Sequence, residues 1–237
     1  MKRALVTGGS GGIGAAICRR LAADGCHLLV HASRAPAAAL VAEIRAGGGS
    51  AEAVVFDVTE REGTAAALAD LLAAGPIQVL VNNAGIHADA VFPGMSGEQW
   101  DRVIDVSLNG FFNVTRPLIL PMIRTRWGRI VNISSVAGIA GNRGQVNYSA
   151  AKGALHAASK ALALEVASRG ITVNAVAPGI IATAMSAGVF DASTIKALVP
   201  MQRAGRPEEV ADLVGFLASE QAAYISGQVI SINGALI

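Results

Sequence analysis

Short apolar runs alternate with longer amphipathic stretches from one end of the chain to the other. The runs, at 3–7, 27–32, 53–56, 79–81, 129–133, 171–177 and 228–232, are rich in Val, Leu, Ile and Ala and read as strands covered on both faces. Between them apolar residues recur every three or four positions, which predicts helices over 15–23, 35–46, 62–74, 97–123, 148–168 and 207–219. Gly47-Gly48-Gly49 ends the second of these helices and Pro207 opens the last. This alternation predicts an α/β fold: a Rossmann-type, doubly wound parallel sheet of about seven strands with helices on both faces. A ligand of such a sheet crosses the carboxyl ends of its strands.

With no linker or repeat in its 237 residues, the chain is expected to form a single domain over 1–237. Hydrophobic residues are 52% and charged residues only 15%, so part of the surface is expected to be hidden between subunits. The small-residue stripe Ala151, Ala154, Ala158 and Ala161 marks one helix for such packing. A net charge of +2 makes no electrostatic case for nucleic acid or a membrane surface, and no apolar run reaches the ~18 residues of a membrane span. The first residues enter a strand and a glycine loop at once, so no signal peptide is expected and the cytoplasm is the natural location. Cys18 and Cys26 read as buried free thiols, and His31, His87 and His156 as ordinary core or surface residues; no metal site is expected.

The first candidate chemistry lies in the loop Gly8-Gly9-Ser10-Gly11-Gly12-Ile13-Gly14, placed between a strand and a helix. Glycines there allow a tight turn and a close approach to a pyrophosphate, whose charge meets the free N–H groups of the helix. The second strand ends in His31-Ala32-Ser33-Arg34, without the acidic residue that accepts a ribose 2′-hydroxyl. A hydroxyl and a guanidinium suit a 2′-phosphate, so NADP(H) is the expected cofactor. Asp57-Val58, at the tip of the third strand, is placed to meet the adenine, and Asn82-Asn83-Ala84-Gly85 again permits close backbone approach.

The second lies at Ser135 and, thirteen residues on, Tyr148-x-x-x-Lys152. Residues four apart share a helix face, and a nearby ammonium favours a phenolate, so the pair is expected to lower the Tyr148 pKa for general acid or base work. Ser135 is placed to hydrogen-bond the oxygen that receives the proton. Residues 182–206 are loosely patterned and are expected to form a substrate lid.

Together, Thr7-Gly8-x-x-x-Gly12-x-Gly14, Asn82-Asn83-Ala84-Gly85, Ser135, Tyr148-x-x-x-Lys152, Asn174 and Pro178-Gly179 resemble the short-chain dehydrogenase/reductase family over the whole chain. The segments 128–135, 168–174 and 222–227 are most similar to its 3-oxoacyl-[acyl-carrier-protein] reductases. That resemblance implies hydride transfer from NADPH to a ketone, with Tyr148 protonating the oxygen, Lys152 also holding the nicotinamide ribose, and Ser135 orienting the carbonyl. The cofactor site it implies comprises Gly8, Ser10, Gly12, Ile13, Gly14, Ser33, Arg34, Asp57, Val58, Asn83, Ala84, Gly85, Tyr148, Lys152, Pro178, Gly179, Ile181 and Thr183, while Ser134 is structural. The family's usual helix asparagine, which helps hold a water of a proton relay, is here Ser107, and an altered relay is expected; Asn109, two residues on, is not placed to replace it. An acidic acyl carrier protein bearing a 3-oxoacyl chain is the implied partner, with Arg126 and Arg169 at the family's docking positions near the cleft mouth and Arg124, Arg129 and Arg143 adding to the field. A homotetramer is expected. The pathway so implied is fatty-acid or related polyene or polyketide synthesis; the alternatives are a reductase or dehydrogenase of a small ketone, sugar or acyl-CoA, and a non-catalytic NADP(H)-sensing protein.

Overall fold

A computed structural model describes residues 1–184, 186 and 191–237. Seven parallel strands form one sheet: β1 (Arg3–Val6), β2 (His27–Ala32), β3 (Ser50–Val55), β4 (Val79–Asn82), β5 (Gly128–Ile133), β6 (Ile171–Pro178) and β7 (Val229–Ile232). Their order is β3-β2-β1-β4-β5-β6-β7, so the chain works outward from β1 on one side and then crosses to β4 and works outward on the other. The reversal between β1 and β4 opens a crevice at the carboxyl ends of those strands.

The helices follow the apolar periodicity: α1 (Gly12–Ala23), α2 (Ala38–Ala46), α3 (Arg61–Ala73), α4 (Gly97–Ile104), α5 (Gly110–Thr125), α6 (Ala137–Ala140), α7 (Val146–Val166), α8 (Ala192–Leu198) and α9 (Pro207–Ala218). Strand alternation sorts the core into two layers. Ala4, Val6, Leu28, Val30, Val79 and Val81 turn to one face, against Ile17 and Leu21 of α1 and Val210, Val214 and Leu217 of α9. Leu5, Leu29, Leu80, Ile130 and Val173 turn to the other, against Leu68 of α3, Leu118 and Met122 of α5, and Val166 of α7.

Three differences from the sequence pattern bear on the site. The helix expected over 97–123 is interrupted by a π turn at Asp105–Asn109, between α4 and α5. Tyr148 lies in the first turn of α7, which starts two residues earlier at Val146. Short helices α6 and α8 fall in stretches too brief or too mixed to show a period. Part of the expected lid, Met185 and 187–190, lies outside the described residues; on its flanks, α8 and a bridge between Ile181 and Gly205 are present.

Candidate active site

The glycine loop leaves β1 at Thr7 and turns through Gly8 at φ +61°, a conformation that L side chains rarely adopt. It is fastened to the end of β4: Asn83 Nδ2 donates to the carbonyl oxygens of Thr7 and Gly8, both at 3.0 Å, and Thr7 Oγ1 accepts from the backbone N of Asn83 and of Ala84, also at 3.0 Å. A Cβ at Gly14 would fall on the Gly8 carbonyl and lie 2.7 Å from Asn83 Nδ2, so only glycine lets α1 seat this close. Gly11, the residue before α1, makes no side-chain cap. The N–H groups of the first turn are thereby left for an anion, and the cradle fits a dinucleotide pyrophosphate.

Other expected cofactor residues ring this cradle. Ser10 is exposed and Ile13 half-buried on the loop, with Ser33 and Arg34 exposed just past β2. Asp57 is exposed past β3, and Thr59 donates to its carboxylate through backbone N (2.9 Å) and Oγ1 (2.8 Å), holding its pKa below the ordinary value with help from the Arg34 charge. A Cβ at Gly12 would lie 2.9 Å from Thr183 Cγ2, which places the segment after β6 against the loop. Pro178 and Gly179 run beside Ser135, with the Val136 N–H donating to the Pro178 carbonyl at 3.0 Å.

Ser135 follows β5 and Tyr148 and Lys152 project from α7, so all three meet at the carboxyl edge of the sheet. The Ser135 hydroxyl accepts from the Ala137 N–H at 3.1 Å and stands near enough to Tyr148 to favour its ionised form. Lys152 is buried, and its Nζ donates to the Ile133 carbonyl at 2.9 Å and sits 5.6 Å from the centre of the Tyr148 ring. Burial lowers its pKa to about 8. The expected depression of the Tyr148 phenol is not found. Burial raises its pKa, Ser135 offsets part of that rise, and the Asp89 carboxylate adds a still smaller rise.

Sequence reasoning missed the polar framework beneath these residues. Asn82 Nδ2 donates to Thr115 Oγ1 (3.0 Å) and Asn132 Oδ1 (2.8 Å), Asn132 Nδ2 to Ser159 Oγ (2.8 Å), and Ser159 Oγ to the Leu155 carbonyl (2.6 Å). This ladder ties β4 and β5 to α7 beneath Tyr148 and Lys152. Asn147, fully buried, donates to the carbonyls of Ala88 and Gln99, both at 3.0 Å, and accepts from the Tyr148 N–H at 2.8 Å. A polar residue within strands otherwise made of Val and Ile was the signal available. Ser134 is structural, as expected: its Oγ donates to the Lys152 carbonyl at 3.2 Å and pairs with His156 Nε2.

Ser107 lies in the π turn, 3% exposed, its hydroxyl without a hydrogen-bond partner among the described residues. It lines a small cavity with Thr7, Val58, Asn82, Ala84 and Leu155. Asn109 is exposed and donates to Asp105 Oδ1 at 2.6 Å, so it does not take the place of Ser107.

The arginines divide. Arg143 is exposed just before α7, on the cleft side. Arg126 caps α5 and Arg169 precedes β6, and Arg126 Nη2 donates to the Ser168 carbonyl at 3.3 Å. Both therefore stand at the amino edge of the sheet, one strand length of about 20 Å from their own chain's Ser135 and not at its cleft mouth. Arg124, in the last turn of α5, stands with them. Arg129 is corrected outright: it is 2% exposed, donates to the carbonyls of Ser219 (3.1 Å), Gly128 (2.9 Å) and Gly170 (3.3 Å), and contributes no surface field.

Known proteins are similar to the chain along nearly its whole length. The chain is 49% identical to a 3-oxoacyl-[acyl-carrier-protein] reductase of Aggregatibacter actinomycetemcomitans over 98% of both chains. It is 44% identical to an acetoacetyl-CoA reductase of Allochromatium vinosum over 98% of this chain and 97% of the relative. The solved structure of a candidate gluconate dehydrogenase from Agrobacterium tumefaciens superposes with a TM-score of 0.95 at 35% identity, covering 99% of this chain and 95% of that one. A family model described as short chain dehydrogenase matches residues 2–194, which take in the glycine loop, Ser135, Tyr148 and Lys152, and the chain belongs to that family of oxidoreductases.

Proposed function

We propose that the chain reduces the ketone of a 3-oxoacyl chain carried on acyl carrier protein, with NADPH as the reductant and Tyr148 as general acid. The observation that carries this reading is the meeting of Ser135, Tyr148 and Lys152 at the carboxyl edge, beside a glycine cradle open to a pyrophosphate. The bound nicotinamide would supply the hydride to the ketone carbon. Tyr148 gives its proton to the ketone oxygen as charge develops there, and Ser135 orients that oxygen through its hydroxyl. Burial and Asp89 hold Tyr148 protonated, which suits an acid working in the direction of reduction. Lys152, poised near pH 8, supports proton return to Tyr148 and is held by Ile133 at the level of the nicotinamide ribose site. Ser107 completes the path as the one unpartnered hydroxyl of the cavity behind Ala84. Ser33 and Arg34 select the 2′-phosphate, and Asp57, Val58, Ile181 and Thr183 close around the rest of the cofactor.

The partner follows from relatives named for carrier-linked substrates and from the basic pair Arg126 and Arg169. Exposed Phe112 and Leu120 on α5 and Leu164 on α7 favour a homo-oligomer, which we take to be a tetramer. If α5 pairs with its copy about a two-fold perpendicular to the helix, the two run antiparallel and the amino edge of one subunit borders the carboxyl edge of the next. Arg126 and Arg169 then serve a neighbouring cleft. A second substrate class, the acyl-CoA, is favoured by the relatives named acetoacetyl-CoA reductase.

NADPH oxidation with acetoacetyl-ACP and with acetoacetyl-CoA, in wild type and Tyr148→Phe, decides between them. The proposal expects faster turnover of the carrier-linked substrate, abolished by Tyr148→Phe and weakened by Arg126→Glu. Equal turnover of both thioesters, or equal effects of Arg126→Glu on both, removes the carrier protein from the reading.

A further inference from the structure

His31, near the end of β2, is 1% exposed, and both of its ring nitrogens are engaged. Nδ1 lies 3.1 Å from the backbone N of Gly8, which offers only a hydrogen, so Nδ1 accepts. Nε2 lies 2.8 Å from the Phe56 carbonyl oxygen, which can only accept, so Nε2 carries the proton. The ring is thus a neutral imidazole in one tautomer, packed on Phe56 with centroids 4.1 Å apart. The His31 carbonyl also accepts from the Gly9 N–H at 2.8 Å. One residue therefore fixes the left-handed turn of the glycine loop to the ends of two strands.

We propose that His31 is the positioning residue that sets the glycine loop for the cofactor's pyrophosphate, and that it does so only as the neutral imidazole. The inference rests on the cofactor reading of the loop given above. An imidazolium would carry a second N–H, at Nδ1, facing the Gly8 N–H 3.1 Å away. Two donors opposed at that distance repel, and Gly8, at φ +61°, loses the contact that holds its turn.

The surroundings favour the neutral form. Burial lowers the His31 pKa; the hydrogen bond to the Phe56 carbonyl and, less, the Asp57 carboxylate past β3, itself under the charge of Arg34 past β2, oppose this only in part. The loop and the first turn of α1 carry no charged side chain, and Cys18 behind them, with its thiol toward the Gly9 carbonyl, is pushed up to about 12 and stays neutral. The positive end of the α1 dipole further disfavours an imidazolium. Cofactor affinity should therefore be flat above neutrality and fall as pH drops through the acid range.

The test is the Kd of NADP⁺, by calorimetry, for wild type, His31→Asn and His31→Leu at pH 5, 6 and 7.5, with urea melts at each pH to confirm the fold. The ligand's 2′-phosphate itself titrates near pH 6, so the quantity read is the ratio of Kd between proteins at one pH. Asn places an oxygen where Nδ1 stood and has no proton to gain. His31→Asn should bind within roughly threefold of wild type at pH 7.5 and gain about tenfold on it by pH 5, while His31→Leu should bind about tenfold more weakly than wild type at pH 7.5. Parallel weakening of wild type and His31→Asn on acidification overturns the role of the ring proton, and unchanged binding by His31→Leu at pH 7.5 overturns the positioning role. If His31→Leu does not fold, His31→Asn alone carries both arms, through its absolute Kd at pH 7.5 and its ratio at pH 5. Failure of wild type to bind either NADP⁺ or NAD⁺ at pH 7.5 is a different result: it defeats the cofactor reading itself and this inference with it.

Discussion

Lys152 Nζ donates to the Ile133 carbonyl at 2.9 Å and meets no carboxylate among the described residues, so a buried ammonium rests on a neutral acceptor. Its pKa falls from 10.5 to about 8. Below about pH 8 both folded and unfolded chains hold this proton and the folded state bears the full cost; between about 8 and 10.5 only the unfolded chain holds it, and stability rises with pH. The shift corresponds to at most about 3 kcal/mol. Lys152→Met removes that cost but strands the Ile133 carbonyl, at about 1–3 kcal/mol. The variant should thus be inactive yet as stable as wild type at pH 7 or about 1 kcal/mol more so, and its urea midpoint should lose the upward slope between pH 8 and 9.5.

Asp89 is steadied by Gln145 Nε2 at 2.9 Å and by His87 Nδ1 at 3.3 Å, and it raises the Tyr148 pKa. Asp89→Asn removes the charge and keeps the shape. Because a general acid must be protonated, the alkaline limb of kcat/KM for reduction should move to lower pH in this variant. A limb that stays in place assigns that titration to another group.

How far the site was legible differs residue by residue. Ser135, Tyr148 and Lys152 stood out because their spacing matches a strand end and one helical turn, and the glycine loop because several glycines between a strand and a helix have few other uses. Asn147 and Asn132 were passed over because their partners are backbone carbonyls and side chains 27 to 59 residues away, which only the folded sheet brings together. The raised Tyr148 pKa escaped for a similar reason: the Lys152 charge is readable at four residues, whereas burial and Asp89 are tertiary. The place of Arg126 near the cleft mouth rests on the resemblance alone; standing just before a strand of a parallel sheet, it lies at the amino edge of its own subunit.

Ser107 keeps a buried hydroxyl with no partner among the described residues, a state that costs about 1–3 kcal/mol. Ser107→Ala should leave stability unchanged or raise it by about 1 kcal/mol while turnover falls about tenfold or more. Ser107→Asn tests the relay from the other side, and an unchanged rate and pH profile in both variants would strip the residue of any part in proton supply.

Arg34 is exposed past β2 and already acts on the Asp57 carboxylate, so its charge reaches the end of the crevice proposed for the adenosine. Arg34→Asp should shift the preference for NADPH over NADH by about tenfold or more toward NADH, equivalent to about 1.4 kcal/mol. Steady-state kcat/KM for the two cofactors measures it directly; an unchanged ratio moves 2′-phosphate recognition to Ser33 and the loop.

The cluster at the amino edge has a spectroscopic consequence. Trp127 lies between two cations, with Lys2 Nζ 3.5 Å and Arg129 Cζ 4.3 Å from its ring, and its indole N–H donates to Glu220 at 2.9 Å. The other tryptophan, Trp100, sits in α4 beside Gln99, whose carbonyl is held by Asn147 next to Tyr148. The chain thus carries one emitter at each rim of the sheet. Trp100 is therefore the residue whose emission should respond to ligand in the crevice, and Trp127 the one whose emission should change when β1, β5 and α9 come apart.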